Sequence, residues 1–336
     1  MEPIILWQTK WSYSLHVPLY LFFGGLTAGM FVVAVAADLL ERKCQGAQLL
    51  SKVTAYSTIV ALALAGFFLT AHLGKPERGL AFPIFFTNYG SWMTRGGWIV
   101  GGGTLLVLAY AALWYRGGAV WMRRLVGLLG VPVLVMLGVY TGLLLSRGTF
   151  VPLWSSKYLP VLFLNSGVTT GLAASGLLCL IALWWRRPQA QDDQGVVRWV
   201  SMAVGLFILL ELFELYNFMT YLAASAQHTP TGEFVAPRGG AHALQYVTQG
   251  ALAPWFWWGV IGLGLAVPLL LTVVEFLLDW FSRPFGWHRA LFTAPKFALV
   301  LVGGALLRCV IVWGGDLSAP LDFPPSVWPV PPASGG

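Results

Sequence analysis

Charged residues and cysteines are scarce in this sequence. Charged side chains make up 10% of the 336 residues and hydrophobic side chains 57%, which leaves few residues for a soluble domain. The three cysteines, Cys44, Cys179 and Cys309, stand far apart and form no CxxC, CxxCH or ferredoxin-type spacing. We therefore expect no iron–sulfur cluster, c-type haem or zinc site in this chain.

Long apolar runs, in contrast, recur along the whole chain. A helix needs about 20 apolar residues to cross the hydrocarbon core of a bilayer. The predicted spans are Leu15–Ala37, Val53–His72, Trp98–Trp114, Leu125–Leu145, Tyr158–Trp185, Val197–Leu222, Ala251–Leu278 and Pro295–Trp313. They predict an all-α integral membrane protein with eight transmembrane helices. The first span lacks the basic n-region and cleavage site of a signal peptide, so we expect it to be retained.

Positive charge is divided unevenly between the two sides of the predicted membrane. Twelve Lys and Arg residues follow spans 1, 3, 5 and 7, whereas seven lie in the other connections and before span 1. The positive-inside rule then places both termini on the outer side. The basic residues thus set topology and do not indicate nucleic-acid binding. The largest outward segments are the predicted loop 223–250 and the Pro-rich tail 317–336, which favours an extended backbone.

Residues 16–29 and 158–171, which open the first and fifth spans, are similar to each other. At one constant offset, Pro18 matches Pro160, Gly25 matches Gly167, Thr27 matches Thr169 and Gly29 matches Gly171. Four spans separate the copies and preserve their orientation, which indicates a parallel duplication of a four-helix unit. We predict two four-helix bundles, residues 1–150 and 151–316, followed by the outward-facing tail.

Three ionisable side chains lie deep inside predicted spans: Glu211, Glu214 and Arg308. A charged group at the centre of a span costs about 2.5–3.5 kcal/mol, so each should face the protein interior and find a partner. Glu211 and Glu214 are three residues apart and share one helical face. One interpretation is a structural ion pair with Arg308 that locks the second bundle. The other is part of a proton path across the membrane, to which Asp38 and Glu275 would also belong.

A second polar group lies at the predicted outer ends of spans 1 and 4. His16 opens the first span and Tyr140 lies near the end of the fourth, so the predicted topology places them at one depth. A quinone needs hydrogen-bond donors to its carbonyls and a group that exchanges protons, and an imidazole with a phenol meets both needs. Trp11 and Tyr13 would wall such a pocket. The alternative is that these side chains only anchor the helices in the headgroup layer.

His72 ends the second span on the same predicted side, within TAHLGKPERGL. It could wall the same pocket, serve as a docking point, or end the helix as an interfacial anchor. With His16 it could also hold a b-type haem. Membrane haem proteins usually place several histidines well inside their helices, however, and this sequence has none there.

Several segments, in order along nearly the whole chain, resemble the NrfD-like family, which includes the membrane subunit of polysulfide reductase. PLYLFFGGLTAG resembles the opening motif of that family, HLGKPER its DLGRPER turn, and SWMTRGGW its entry into the third span. VYTGLLLS, followed by PLWSSKYLPVLFLNSGVTTG, resembles the region of spans 4 and 5, and VLVGGALLRCVIVWGG resembles the last span. His72 stands where an aspartate is common in the family.

The resemblance implies two four-helix bundles and a quinone or quinol site near the outer face, lined by His16 and Tyr140 with Tyr13 as a polar neighbour. It implies a ferredoxin-like iron–sulfur partner on that face. A molybdopterin catalytic subunit or a multihaem cytochrome would complete the complex. The setting implied is the cytoplasmic (inner) membrane of a bacterium or archaeon, in contact with membrane lipids.

The sequence thus predicts the membrane anchor subunit of a respiratory oxidoreductase complex. It would exchange electrons and protons between non-covalently bound menaquinone or ubiquinone and the extracytoplasmic iron–sulfur subunit. Two alternatives stay open: an ion-translocating or transport protein without quinone chemistry, and a purely structural anchor.

Overall fold

The regular structure of the protein is helical throughout the residues that the computed structural model describes. These are 15–41, 46–72, 88–147, 151–154, 156–186, 190–224, 237–281 and 287–318. The helices are α1 (His16–Leu39), α2 (Ala47–His72), α3 (Trp92–Arg116), α4 (Val120–Ser146), α5 (Leu159–Arg186), α6 (Ala190–Ala224), α7 (Pro237–Gln249), α8, and α9 (Trp287–Ser318). Helix α8 begins as a π-helix over Trp255–Ala266 and continues as an α-helix over Val267–Phe281.

Eight of these helices, all except α7, are long and apolar enough to cross a membrane. The predicted all-helical membrane fold is thereby confirmed. The observed helices extend beyond the predicted spans: α3 begins at Trp92 rather than Trp98, and α9 begins at Trp287 and contains Pro295. Glycine, proline and charged residues lower the local hydropathy in these turns. The helical backbone continues through them, since membrane helices tolerate Pro and Gly.

Two names are used for the ends of the helix assembly. The end at which α1 begins is called the outer end, after the side that the charge pattern predicts. The opposite end, at which α1 finishes, is called the inner end.

The prediction of a loop over 223–250 is wrong for its second half, which forms α7. Ala243 and Val247, four residues apart, are buried, whereas Gln245 and Gln249 are exposed. Such an amphipathic helix buries one stripe only, so it leaves no long apolar run in the sequence. Helix α7 packs against α6, α9 and the beginning of α8, and so covers the outer end of the second half of the chain.

Helix α1 lies at the centre of the assembly, where it packs on α2, α4, α5 and α9. Its contact with α5 is a backbone contact: a Cβ atom on Gly29 would lie 2.1 Å from the carbonyl oxygen of Gly167. A Cβ atom on Gly171 would lie 2.4 Å from the carbonyl carbon of Gly29. Small residues allow this close approach of two membrane helices. These glycines belong to the two similar segments, so the contact is compatible with the predicted duplication.

Candidate functional site

His16 stands at the entrance of the predicted site, as the first residue of α1 with an exposed side chain. Its ring meets the ring of Phe68 in α2 edge-on, with 6.5 Å between centroids. Phe68 in turn stacks on Phe23 of α1, at 5.7 Å and an angle of 4°. The exposed imidazole therefore borders an aromatic wall built from α1 and α2.

Tyr20 is a further buried tyrosine at this end of α1. Both tyrosines are buried, with 8% of Tyr20 and 5% of Tyr140 exposed. The sequence analysis did not include Tyr20 in the site, although its spacing of four residues from His16 places both on one face of α1. The described site thus holds one exposed imidazole and two buried phenols.

Helix α3 supplies the opposite wall of the site. The ring of Tyr140 lies directly on the backbone of Gly96, where a Cβ atom would be 2.0 Å from the ring carbon Cζ. One helical turn further out, the guanidinium groups of Arg95 and Arg147 lie 5.0 Å and 4.9 Å from the ring centroid of Trp92. The contact between Arg147 and Trp92 thus joins the outer ends of α3 and α4.

The site residues are chemically suited to a quinone. A quinone headgroup is a planar, largely apolar ring with two acceptor oxygens, and the site offers aromatic walls with imidazole and phenol donors. Trp11 and Tyr13 lie outside the described residues, and so does the side chain of His72, so their predicted places in the pocket are proposals. Within the described part of the chain, no group of three or more His, Cys, Asp or Glu residues could hold a metal ion.

A small cavity in the described structure lies elsewhere, beneath α7. It measures about 20 Å³ and is entirely apolar, with Leu215, Phe218, Val247 and Ile311 among its lining residues. A space of this size holds about one water molecule, so it is far too small for a quinone.

Arg308, Glu211 and Glu214 form one polar cluster in the outer half of the second set of helices. Arg308 is completely buried and donates hydrogen bonds to the Ser166 hydroxyl and to the carbonyl oxygen of Phe163, the latter at 3.0 Å. Glu211 interacts with Ser166 and, at longer range, with Arg308. Ser166 therefore links the cation to the carboxylate. Glu214 lies beside Glu211, and one of its buried carboxylate oxygens has no hydrogen-bond partner.

Asp38, one of the proposed proton-path residues, lies in an ion pair at the inner end. It is fully buried and receives hydrogen bonds from Arg123 Nε at 2.8 Å, from Arg123 Nη2 at 2.6 Å and from Tyr110 at 3.1 Å. Tyr110 also shares a hydrogen bond with Ser51. Arg123, which entered the charge count as a loop residue, is part of α4.

Glu275 occupies a similar ion pair at the inner end of the second half. Lys296 of α9 donates to Glu275 Oε2 at 2.5 Å, and Ser201 contacts both groups. In each half, the last helix supplies the cation of a buried ion pair, whereas the acid comes from the first helix in one half and from α8 in the other.

Comparison with known proteins places this architecture in a family. The family model described as "Polysulphide reductase, NrfD" matches residues 7–319. The C subunit of polysulfide reductase from Wolinella succinogenes is 32% identical over 180 residues, 53% of this sequence and 50% of that protein. Protein NrfD of Escherichia coli is 34% identical over 185 residues, 55% of this sequence and 50% of that protein.

A third relative, the NrfD homolog of Haemophilus influenzae, is 27% identical over 183 residues, 54% of this sequence and 50% of its own length. The protein therefore spans about half the length of the curated relatives that it matches. The family model, in contrast, covers nearly all of it. This multi-pass membrane protein belongs to the NrfD polysulphide reductase family.

Proposed function

We propose that this protein is the membrane anchor subunit of a respiratory oxidoreductase complex and exchanges electrons and protons with membrane quinone. The observation that carries the proposal is the position of the buried Tyr140 phenol on Gly96 of α3, at the same end of the helices as the exposed His16. The family resemblance and the quinone-compatible donors support the same reading.

The proposed chemistry divides between the quinone and the protein. When bound, menaquinone or ubiquinone supplies the group that is oxidised or reduced by two electrons and two protons. The exposed His16 imidazole takes up or returns protons at a ring nitrogen and exchanges them with outer water. Tyr140 donates a hydrogen bond from its buried phenol and orients the headgroup. Phe68 and Phe23 exclude water from the apolar side of the ring.

The electrons must enter and leave through another subunit. The three cysteines lack the spacing that an iron–sulfur cluster needs. We therefore place a ferredoxin-like iron–sulfur subunit on the outer face, joined to a molybdopterin catalytic subunit or replaced by a multihaem cytochrome. The protein would lie in the inner membrane with both termini outside, as the charge pattern predicts.

The test is binding of a fluorescent quinol-site inhibitor of the quinoline N-oxide class to the purified full-length protein. Wild type should quench its fluorescence saturably, and His16→Ala and Tyr140→Phe should bind more weakly. His242→Ala and Tyr216→Phe are matched controls, because both side chains are exposed and lie in the second half. Absence of saturable binding to folded wild type, alone and in complex with its partners, would refute the proposal.

The cluster of Glu211, Glu214 and Arg308 favours a second candidate function, ion translocation. Two carboxylates in the outer half of a span, one of them with an unpaired oxygen, are costly to retain without a role. In the structural alternative, Arg308 and Glu211 lock the second bundle through Ser166. Proton release per electron, measured in liposomes with wild type and Glu214→Gln, separates the two. A ratio in both proteins that quinone chemistry alone explains would eliminate translocation.

A further inference from the structure

Gly96 is the point at which α3 touches the phenol of Tyr140. A Cβ atom at position 96 would lie 2.0 Å from Cζ, 2.1 Å from the phenol oxygen and 2.5 Å from Cε1 of Tyr140. All three distances are far below ordinary van der Waals separation. Any residue other than glycine at this position therefore has to displace either the ring or the helix.

The same helix offers a clear contrast. Gly101 and Gly102, about one and a half turns further along α3, have no atom within 4 Å of the position that a Cβ would occupy. Their replacement by alanine meets open space. The requirement for glycine at position 96 thus arises from the contact with Tyr140 and not from the conformation of α3.

Helices α3 and α4 cannot easily move apart to relieve this clash, because contacts on both sides of Gly96 hold them together. Above Gly96, Arg147 at the end of α4 packs on Trp92 of α3, with 4.9 Å between the guanidinium carbon and the ring centroid. Below it, Gly103 of α3 packs against Leu134 of α4, whose Cδ2 atom would lie 3.6 Å from an added Cβ. With both neighbouring contacts in place, the phenol ring is the part that has to move.

The phenol has little room to move within the site. Tyr140 is 5% exposed, and its ring already lies against the backbone of α3. The distance between an added Cβ at position 96 and Cζ of Tyr140 would have to increase from 2.0 Å to at least 3.0 Å. The ring carbon would therefore shift by about 1 Å. A displacement of this size costs up to about 100-fold in rate when it moves a group that orients a reactant.

We propose that Gly96 is a positioning residue for the quinone site, which acts by holding the Tyr140 phenol at a set depth between α1 and α3. The inference rests on the proposed function, since it assigns Gly96 a role through Tyr140. Gly96 itself makes no contact with the quinone in this proposal. The contact with Tyr140 thus explains why the motif SWMTRGGW at the start of α3 has glycine at position 96.

The experiment compares Gly96→Ala, Gly101→Ala, Tyr140→Phe and the double variant Gly96→Ala/Tyr140→Phe in the intact complex. Folding is checked by thermal unfolding in detergent. Quinol turnover is measured as kcat and KM, and binding of the quinoline N-oxide inhibitor is titrated. Gly96→Ala should lose about 10- to 100-fold in kcat/KM, and Gly101→Ala should match wild type. The double variant should lose no more than Gly96→Ala alone, because the added methyl group already displaces the phenol from its position.

Three outcomes would overturn the inference: wild-type turnover in Gly96→Ala, an equal loss in Gly101→Ala, or losses that multiply in the double variant. If Gly96→Ala does not fold, Gly96→Ala/Tyr140→Leu is tested. Recovery of the folded protein would assign the defect to this contact, and failure to recover would count against it. If Tyr140→Phe behaves as wild type while His16→Ala abolishes binding, the inference fails and the proposed function stands. If folded wild type binds no inhibitor in the complex, the proposed function fails.

Discussion

Replacement of Asp38 by asparagine tests the buried ion pair at the inner end of α1. The Asp38 carboxylate is fully buried and accepts two hydrogen bonds from Arg123, at 2.8 Å and 2.6 Å, and one from Tyr110 at 3.1 Å. An amide of the same shape carries no charge and presents an NH₂ group to one of the two guanidinium donors. The Arg123 cation, 5% exposed, would lose its main counter-charge.

The expected loss of stability is large. Removal of one partner of a buried ion pair typically costs about 3–5 kcal/mol, because the other charge stays buried without compensation. In the variant, the Arg123 cation would still be stabilised in part by its cation–π contact with Trp114, at 3.6 Å. We therefore expect Asp38→Asn to lower the free energy of unfolding by about 3 kcal/mol, near the lower end of that range.

Denaturant-induced unfolding in detergent micelles, followed by tryptophan fluorescence, measures this loss. Glu41→Gln is the matched control, since Glu41 contacts the same Arg123 at 3.3 Å but its side chain is 26% exposed. Its loss should be at most about 1 kcal/mol. The double variant Asp38→Leu/Arg123→Met, which removes both charges, should be more stable than Asp38→Asn. An effect of Asp38→Asn no larger than that of Glu41→Gln would refute the reasoning.

Three further predictions concern other contacts. Tyr140→Phe should keep the fold and weaken inhibitor binding by up to about tenfold in a fluorescence titration, since one hydrogen bond contributes about 0.5–1.5 kcal/mol; unchanged affinity would contradict a role for the phenol. Gly171→Ile should separate α5 from α1 and lower the melting temperature in detergent, because even a Cβ atom would lie 2.4 Å from the Gly29 backbone. A melting temperature equal to that of Gly101→Ala would contradict this prediction. Lys296→Met should leave the Glu275 carboxylate without its cation and destabilise the protein in the same assay. Lys52→Met, at an exposed lysine, should have little effect, and equal losses would show that the buried pair is not needed.

The membrane fold was predictable because hydropathy is a local property of the sequence. Each span contains its own apolar run, and all eight predicted spans correspond to observed helices. The ends of the helices were less predictable, since Arg95 and Gly96 belong to α3 although they interrupt its apolar run. Helix α7 was missed for a related reason, because an amphipathic helix shows no long hydrophobic stretch.

The charged residues show the limit of sequence reasoning about pairing. Glu211, Glu214 and Arg308 could be placed at a common depth, but nothing in their spacing indicates that Ser166 of α5 connects them. Similarly, Arg123 was counted as a loop residue and Lys296 had no predicted partner, whereas both lie buried in ion pairs. Pairing across helices depends on which faces meet, and the sequence does not encode this in any local pattern.

The sequence by itself determined the number of spans, the helical class and the family resemblance, and it predicts a common depth for His16 and Tyr140. These properties follow from the composition, the order of the segments and the rise per residue of a helix, all of which are local properties of the chain. Only the tertiary structure decided that Tyr140 lies on Gly96, and that Gly29 meets Gly167 and Gly171. These contacts depend on the rotation and close approach of separate helices, because packing between helices is set by the shapes of whole surfaces.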